Sequence, residues 1–387
     1  MAVRKERAII VGGGIGGLAA AVALDRAGFD VAVLEQAGEL REIGAAIGVQ
    51  TNAVRALRHL GLAEQVIEQG VPIEFYEYHS WRGRRLVRWS QGDIGRALGE
   101  PTVVVHRAQL QQVLARAAPG VRLGQKATGF EQDAGGVTVG LADGSEVRGS
   151  MLVGADGLRS LVRAELVGDG EPRYSGWAAY RAVTEFSTAE FPVGHARQTL
   201  GAGCSFGMWH LPGGRVYWVA TIKEPEGLDV PPARRKAHVL ARFGSAHAPI
   251  RKLIEATPDD TVLRNAVSDR VPVDSWSSGR VVLLGDAAHP TTPVTGQGGG
   301  QAIIDAHVLG DELARTGGGP FAERAAAAFA AYQRRRMPVT TEITNEAWFI
   351  ARMHHFSNRL AVLGRDLSLW GTPARTWNRR METRLAF

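Results

Sequence analysis

The chain has 387 residues, 45% of them apolar and 22% charged. That balance excludes a disordered, collagenous or coiled-coil chain and predicts two domains plus an extension. A single cysteine, Cys204, excludes an intrachain disulfide and any cysteine-based metal cluster, and points to a reducing, cytoplasmic setting. Two values stand out. There are 48 glycines, where an average near 7% predicts about 27. The formal charge is +6 and the pI about 9.7, which raises nucleic acid or an anionic membrane as a partner.

Arg4, Lys5 and Arg7 precede an uncharged stretch over residues 8–24, the outline of a secretion signal. Five glycines inside the stretch, and Asp25-Arg26 where a cleavage site would fall, favour a buried strand running into a helix. No window reaches the roughly 20 apolar residues of a membrane span, so no stable membrane insertion is expected.

Ala8-Ile-Ile-Val11 reads as a strand covered on both faces. Gly12-Gly-Gly-Ile-Gly-Gly17 follows, then a helix over residues 18–27 stopped by Gly28, and a second strand over 30–34 that ends at Glu35. Strand, G-x-G-x-x-G, helix, strand and acid in this order predict a dinucleotide-binding unit. Gly12 permits the tight turn, Gly14 lets a pyrophosphate approach bare backbone beside Ile15, and Gly17 lets the helix pack closely. Glu35, followed by Gln36, is placed to bind a ribose diol.

Arg41, the loop Gly44-Ala-Ala-Ile-Gly48 and a helix over about 52–60 come next. From residue 72 to about 105, alternating Ile73, Phe75, Tyr76, Tyr78 and Trp81 predict antiparallel strands. His106-Arg107 opens a helix to about residue 118, and strands follow near 125–131 and 137–141, with Asp143-Gly144 as a hairpin turn. Ser150-Met-Leu-Val153 is another buried strand, leading into Gly154-Ala-Asp-Gly157, Ser160 and Arg163. Residues 174–274 are strand-rich with one helical stretch near 233–256. Arg280-Val-Val-Leu-Leu284 leads into Gly285-Asp-Ala-Ala-His-Pro290 and Pro293, and Gly296-Gln-Gly-Gly-Gly300 opens a helix to about residue 313. Residues 321–387 read as mostly helical.

These three motifs in this order resemble the single-component (group A) FAD-dependent aromatic hydroxylases, whose members include salicylate hydroxylase, 3-hydroxybenzoate 6-hydroxylase and flavoprotein urate hydroxylase. The resemblance rests on Gly12-x-Gly14-x-x-Gly17, on Gly154-Ala-Asp156-Gly157 with Ser160 and Arg163, and on Gly285-Asp286-Ala-Ala-His289 with Pro293 and Gly296-Gln-Gly298. It covers residues 8 to about 315. It implies an α/β fold: a discontinuous Rossmann-like FAD-binding domain (1–71, 101–172, 275–320), an inserted, mainly antiparallel β-sheet substrate domain (72–100, 173–274) and a helical C-terminal extension (321–387). FAD would be the cofactor and NADH or NADPH the co-substrate. O2 would be activated through a flavin C4a-hydroperoxide to hydroxylate a small aromatic or heteroaromatic compound, in a monomer or homodimer. A larger polyketide, quinone or purine is the alternative substrate, and a non-catalytic flavin-fold protein the remote one.

By the same resemblance Glu35 binds the adenosine ribose, Arg41 reaches the pyrophosphate, and Gly48 and Arg107 lie near the flavin. Ala127 lies near the adenine half, Asp156 serves FAD and transient nicotinamide binding, and Asp286 takes the ribityl chain. Gly296, Gly298, Gly299 and Gly300 expose backbone N–H groups at a helix start, suited to the negative charge of reduced flavin. Two departures from the family pattern, Gly300 and Ile304, predict a looser flavin-side helix.

For the substrate, Phe206-Gly-Met-Trp-His210 and Arg215-Val-Tyr-Trp-Val219 read as a hairpin across Leu211-Pro-Gly-Gly214. Pairing His210 with Arg215 and Met208 with Tyr217 places His210 and Tyr217 on one face, as catalytic candidates. The alternative is a hairpin-capping His210 and a Tyr217 on the sheet surface. Arg181 is a candidate for a substrate carboxylate or an ordinary ion pair. No metal site is expected, since the histidines lack zinc-type spacing, and Ser160 lacks a G-x-S-x-G context. Residues 351–387 hold seven arginines against Asp366 and Glu382, so the basicity is a property of one helical tail rather than a sign of nucleic-acid binding.

Overall fold

The computed structural model describes residues 5–40 and 46–386. Arg41 and Gly44 lie outside the described residues. The first sheet has six strands in the order Ser277–Ser278, Val281–Leu283, Met151–Gly154, Arg7–Val11, Asp30–Leu34 and Val121–Arg122. All neighbours are parallel except the edge pair of 277–278 with 281–283. The three strands that end in the three glycine motifs are adjacent at its centre. Their carboxyl ends therefore converge, where open α/β sheets bind ligands. Ile9, Ile10, Val33, Leu152, Val153 and Val282 are fully buried, as continuous apolar runs covered on both faces must be.

The second sheet has seven strands in the order Leu263–Asp269, Arg173–Glu185, Arg215–Lys223, Cys204–Leu211, His195–Leu200, Phe75–Ser80 and Arg85–Ser90. Only the 195–200 and 75–80 pair is parallel. Two distant stretches of chain thus build one sheet. One of its faces packs against helices Pro232–Phe243 and Ile250–Ala256 through Phe206, Met208, Trp218 and Phe243. The expected single helix over 233–256 is these two, separated by Gly244 and Pro249. Helix Gln91–Leu98 was not anticipated. Ser90 caps it by accepting from Asp93 N–H, and Gly99, at φ +80°, ends it inside a segment whose alternation reads as strand.

Helices Phe321–His354, Arg359–Gly371 and Ala374–Leu385 form the C-terminal extension. Leu369, Trp377 and Leu385 pack against Tyr78, Leu86 and Trp89. The tail therefore covers the edge of the second sheet.

One buried carboxylate ties these parts together. Asp305, in helix Gly298–Ala314, is fully buried and accepts from Gly285 N–H (3.0 Å), His289 Nε2 (2.5 Å) and Arg336 Nε (2.6 Å). Burial pushes its carboxyl up, but the charges of His289 and Arg336 outweigh that and hold it down at about 2. Ile304, one of the two departures at this helix, is buried in the core beside Asp305. A depressed carboxyl pKa contributes stability above its unfolded value that is lost as pH falls toward the folded one. Asp305→Asn should cost about 3–5 kcal/mol in urea unfolding at pH 7. Roughly 2 kcal/mol of that gap should vanish between pH 4 and pH 2; a gap independent of pH contradicts the ion-pair role.

Candidate active site

Gly12 adopts φ +107°, and a Cβ there would strike the backbone of Ala155. A Cβ on Gly17 would strike the Gly12 carbonyl. Gly14 differs: its missing Cβ faces open space. Two glycines thus close the turn, while the third leaves room for a ligand over the start of helix Ile15–Arg26, within which Ile15 is buried. Glu35 Oε2 accepts from Gly13 N–H (2.7 Å) and Oε1 from Ala37 N–H (2.8 Å). These bonds fix the carboxylate beside the turn with lone pairs to spare for a diol. Gln36 is exposed beside it. The run leading to Ala127 lies alongside, since Gly124 N–H and Gln125 N–H donate to Ala37 and Glu35 carbonyls.

The second and third motifs are joined by Arg163, which is completely buried. It donates to the carbonyls of Ala287 (3.0 Å) and Ala288 (2.7 Å) and pairs with Asp169 (2.7 Å). Asp156 accepts from Ser160 Oγ (2.5 Å), Leu161 N–H (2.7 Å) and Val162 N–H (3.2 Å), so its carboxylate caps helix Leu161–Leu166. Burial raises its pKa against those bonds. The motif's local role is structural as well as any role toward a ligand.

Asp286 is exposed at the end of strand Val281–Leu283, with Gly298 beside its Oδ1. Pro293 opens a turn that ends at Gly296 (φ +62°), after which helix Gly298–Ala314 begins. Among the described residues no side chain caps that helix and no acid lies in its first turn, which leaves the first N–H groups as donors for a ligand. Ile47 fits against bare Gly299, Gly48 borders open space, and Gln50 Nε2 donates to Thr295 O (3.0 Å). A Cβ on Gly300 would lie 3.1 Å from Ala53 Cβ, which explains a glycine there. Arg107, first residue of helix Arg107–Ala117, acts electrostatically on both Asp286 and Tyr217. Strand Val103–His106, which leads into that helix, pairs with Ala46–Val49, whose Ile47 meets Gly299, and packs Val104 with Trp209 and Tyr217, so the glycine-rich helix and one face of the second sheet lie beside the same strand.

The hairpin register corrects the expected face. Leu211 pairs with Arg215, His210 with Val216 and Trp209 with Tyr217. Tyr217 shares its face with Trp209, whose ring stacks 5.6 Å away, and with Arg181, which donates to Asn265 Oδ1. His210 lies on the opposite face, buried against Phe191 at 4.4 Å and donating to Phe191 O (3.0 Å). Burial lowers its pKa and keeps the ring neutral. The structure thus brings Tyr217, Trp209 and Arg181 onto one face and leaves His210 out. Desolvation raises the Tyr217 phenol despite the opposing charges of Arg181 and Arg107, so it is a neutral donor at pH 7.

Comparison with known proteins places the whole chain. The family described as "FAD binding domain" matches residues 5–347. The chain belongs to that family. Aurachin C monooxygenase/isomerase of Stigmatella aurantiaca is 40% identical over 361 residues, 92% of each chain. 3-Hydroxybenzoate 6-hydroxylase of Polaromonas naphthalenivorans is 36% identical over 384 residues, 96% of this chain and 93% of that one. The structure of Klebsiella pneumoniae HpxO complexed with FAD and uric acid superposes with a TM-score of 0.91 at 31% identity, covering 98% of this chain and 96% of that one. This family member is an FAD-dependent oxidoreductase of the aromatic-hydroxylase type, with the NAD(P)H and O2 use typical of the family.

Sequence reasoning missed several residues of the cleft. Gln297, with its amide turned to present the oxygen, accepts from Arg384 Nε (2.6 Å) and a terminal guanidinium nitrogen (2.7 Å). Arg384 also pairs with Glu346 (3.0 Å). The last helix therefore braces the flavin-side loop, a contact no local pattern announces. Gln111, donating to Gly13 O at 3.4 Å, was likewise unforeseen. For the cofactor cradle, Gly14→Val should leave the apoprotein's melting temperature within about 4 °C, a change of about 1 kcal/mol or less. The same variant should purify colourless and fail to take up FAD; a yellow Gly14→Val protein contradicts the placement.

Proposed function

We propose that this protein hydroxylates an aromatic or heteroaromatic ring held between the start of helix Gly298–Ala314 and the sheet face bearing Tyr217, Arg181 and Trp209. The observation that carries this reading is strand Val103–His106, which pairs with the strand carrying Ile47 and Gly48 beside Gly299 and packs Val104 into one cluster with Trp209 and Tyr217. The residues present fit FAD. Open backbone at Gly14, with Gly12 and Gly17 shaping the turn and Ile15 behind it, suits the pyrophosphate, and Glu35, Gln36 and Ala127 suit the adenosine half. Asp286 suits the ribityl hydroxyls, while Gly48, Arg107, Pro293, Gly296, Gly298, Gly299 and Gly300 surround the flavin end, with Asp156 supporting the neighbouring motif. Bound FAD supplies hydride acceptance from NAD(P)H and activation of O2, one oxygen atom entering the substrate and the other leaving as water.

The chain's own residues then have defined tasks. Outward N–H groups at the helix start stabilise negative charge on the flavin side. Tyr217, kept neutral by burial, holds a substrate oxygen or nitrogen by a hydrogen bond rather than acting as a base. Arg181 supplies positive charge for an anionic ring substituent. Trp209 gives the cleft an apolar wall that keeps water from the reacting atoms. A larger ring system is the second reading, favoured by the 40% identity with a relative named for aurachin C.

The test is a panel of aromatic acids, phenols and heterocycles scored for stimulated NAD(P)H oxidation. Against the best member, Tyr217→Phe should keep its FAD and lose about tenfold to a hundredfold in product formed. His210→Asn should leave the ratio of product to NAD(P)H consumed unchanged. Unchanged hydroxylation in Tyr217→Phe removes that residue's role, and uncoupling in His210→Asn would restore the role the register denies it.

A further inference from the structure

Nine large apolar side chains are exposed among the described residues, and six of them fall within residues 349–370: Phe349, Phe356, Leu360, Leu363, Leu367 and Trp370. Soluble surfaces carry such groups singly, so a cluster signals contact with something apolar. Four belong to helix Arg359–Gly371. At 3.6 residues per turn, Leu360, Leu363, Leu367 and Trp370 share an arc of about 80°. They are 78%, 55%, 48% and 59% exposed. The opposite side of the same helix holds buried Leu369 and Arg365, the latter donating to Gly201 O at 3.0 Å. The helix is therefore anchored by one side and turns a second apolar side outward.

The surroundings of that stripe are basic. Residues 349–386 contain seven arginines and two acids, Asp366 and Glu382. Arg352, Arg359, Arg375 and Arg379 are exposed. The Arg84 guanidinium lies 5.4 Å from the Trp370 ring centre. Beside Trp370 a cleft of about 540 Å³ is lined by Arg85 and Arg88 on one side and Pro373 and Asn378 on the other. A leucine–tryptophan stripe with arginines at its margins is the pattern of a helix that lies in a membrane interface. A second copy of the chain would bring like-charged arginines together, and a nucleic acid would leave the leucines uncovered. An anionic lipid surface answers both features.

We propose that helix Arg359–Gly371 docks this enzyme peripherally on anionic membranes, its Leu–Trp stripe entering the headgroup boundary and the arginines around Trp370 pairing with lipid phosphates. The attachment lies on the bilayer without crossing it; among the described residues no helix is long and apolar enough to span a membrane. None of the stripe residues belongs to the FAD cleft, so docking and catalysis separate experimentally.

The test sediments the full-length, FAD-loaded protein with vesicles of phosphatidylcholine alone and of phosphatidylcholine with about one-third phosphatidylserine. Partition onto the anionic vesicles should exceed that onto the neutral ones by about tenfold or more, and should fall in high salt. A Leu363→Gln/Trp370→Gln double variant that still holds FAD should lose about tenfold or more of that partition, and Arg375→Gln/Arg379→Gln should lose the preference for anionic lipid. Equal partition onto the two vesicle types, or undiminished binding by the Leu–Trp variant, overturns the proposal. So does light scattering that shows a dimer which the Leu–Trp variant dissolves, because a second copy would then cover the stripe.

Discussion

Helix Ile15–Arg26 and helix Gly298–Ala314 pack with almost no side chain between them, and the rest of the site depends on that approach. A Cβ on Gly16 would lie 3.2 Å from Ala302 Cβ, and one on Gly310 only 2.9 Å from Ala23 Cβ. Larger residues at these positions would push the helices apart. Because they stay close, the two helix starts open onto the same end of the parallel sheet, and each carries about half a positive charge. An extended flavin dinucleotide, with its pyrophosphate in the middle and its flavin ring at one end, needs two such poles at a fixed separation. Asp305 and Arg163 then lock the strand ends that lie between them.

Much of this was legible in sequence because it is local. The glycine motifs follow buried strands within a few residues, and strand, turn and helix are encoded by neighbours. The substrate face was not legible to the same degree. The turn at Leu211-Pro-Gly-Gly214 admits more than one closure, and in the structure Leu211 pairs with Arg215 across a three-residue loop. Gly213 at φ +78° and Gly214 at φ +70° permit that tight closure. Slipping the pairing by one residue turns every side chain of one strand to the other face relative to its partner. Tyr217 therefore parts company with His210, and a mixed pocket read from alternation becomes two environments: a dry core around His210 and a half-buried face bearing Tyr217, Trp209 and Arg181.

The contacts that remained invisible are those between residues far apart in sequence whose types carry no signature. Asp305 with Arg336, and Gln297 with Arg384, join segments that periodicity treats independently. They also divide the basic tail into two populations. Arg365 and Arg384 are structural, spent on backbone carbonyls, on Glu346 and on the flavin-side loop. Arg380, though exposed, also pairs with Glu346, while exposed Arg352, Arg359, Arg375 and Arg379 belong to the same stretch as the outward leucines. The high pI is thus the sum of internal braces and one basic, apolar surface.

The central claim is that the cleft shared by the cofactor motifs and the Tyr217 face performs oxygen insertion. The most direct measurement is turnover under ¹⁸O2 with NAD(P)H and the best ring substrate of the panel, with product mass and NAD(P)H consumption recorded together. The account predicts one ¹⁸O atom in each product molecule and about one NAD(P)H consumed per hydroxylation. Oxygen derived from water, or NAD(P)H oxidation that yields only H2O2 with every ring compound tried, would contradict it.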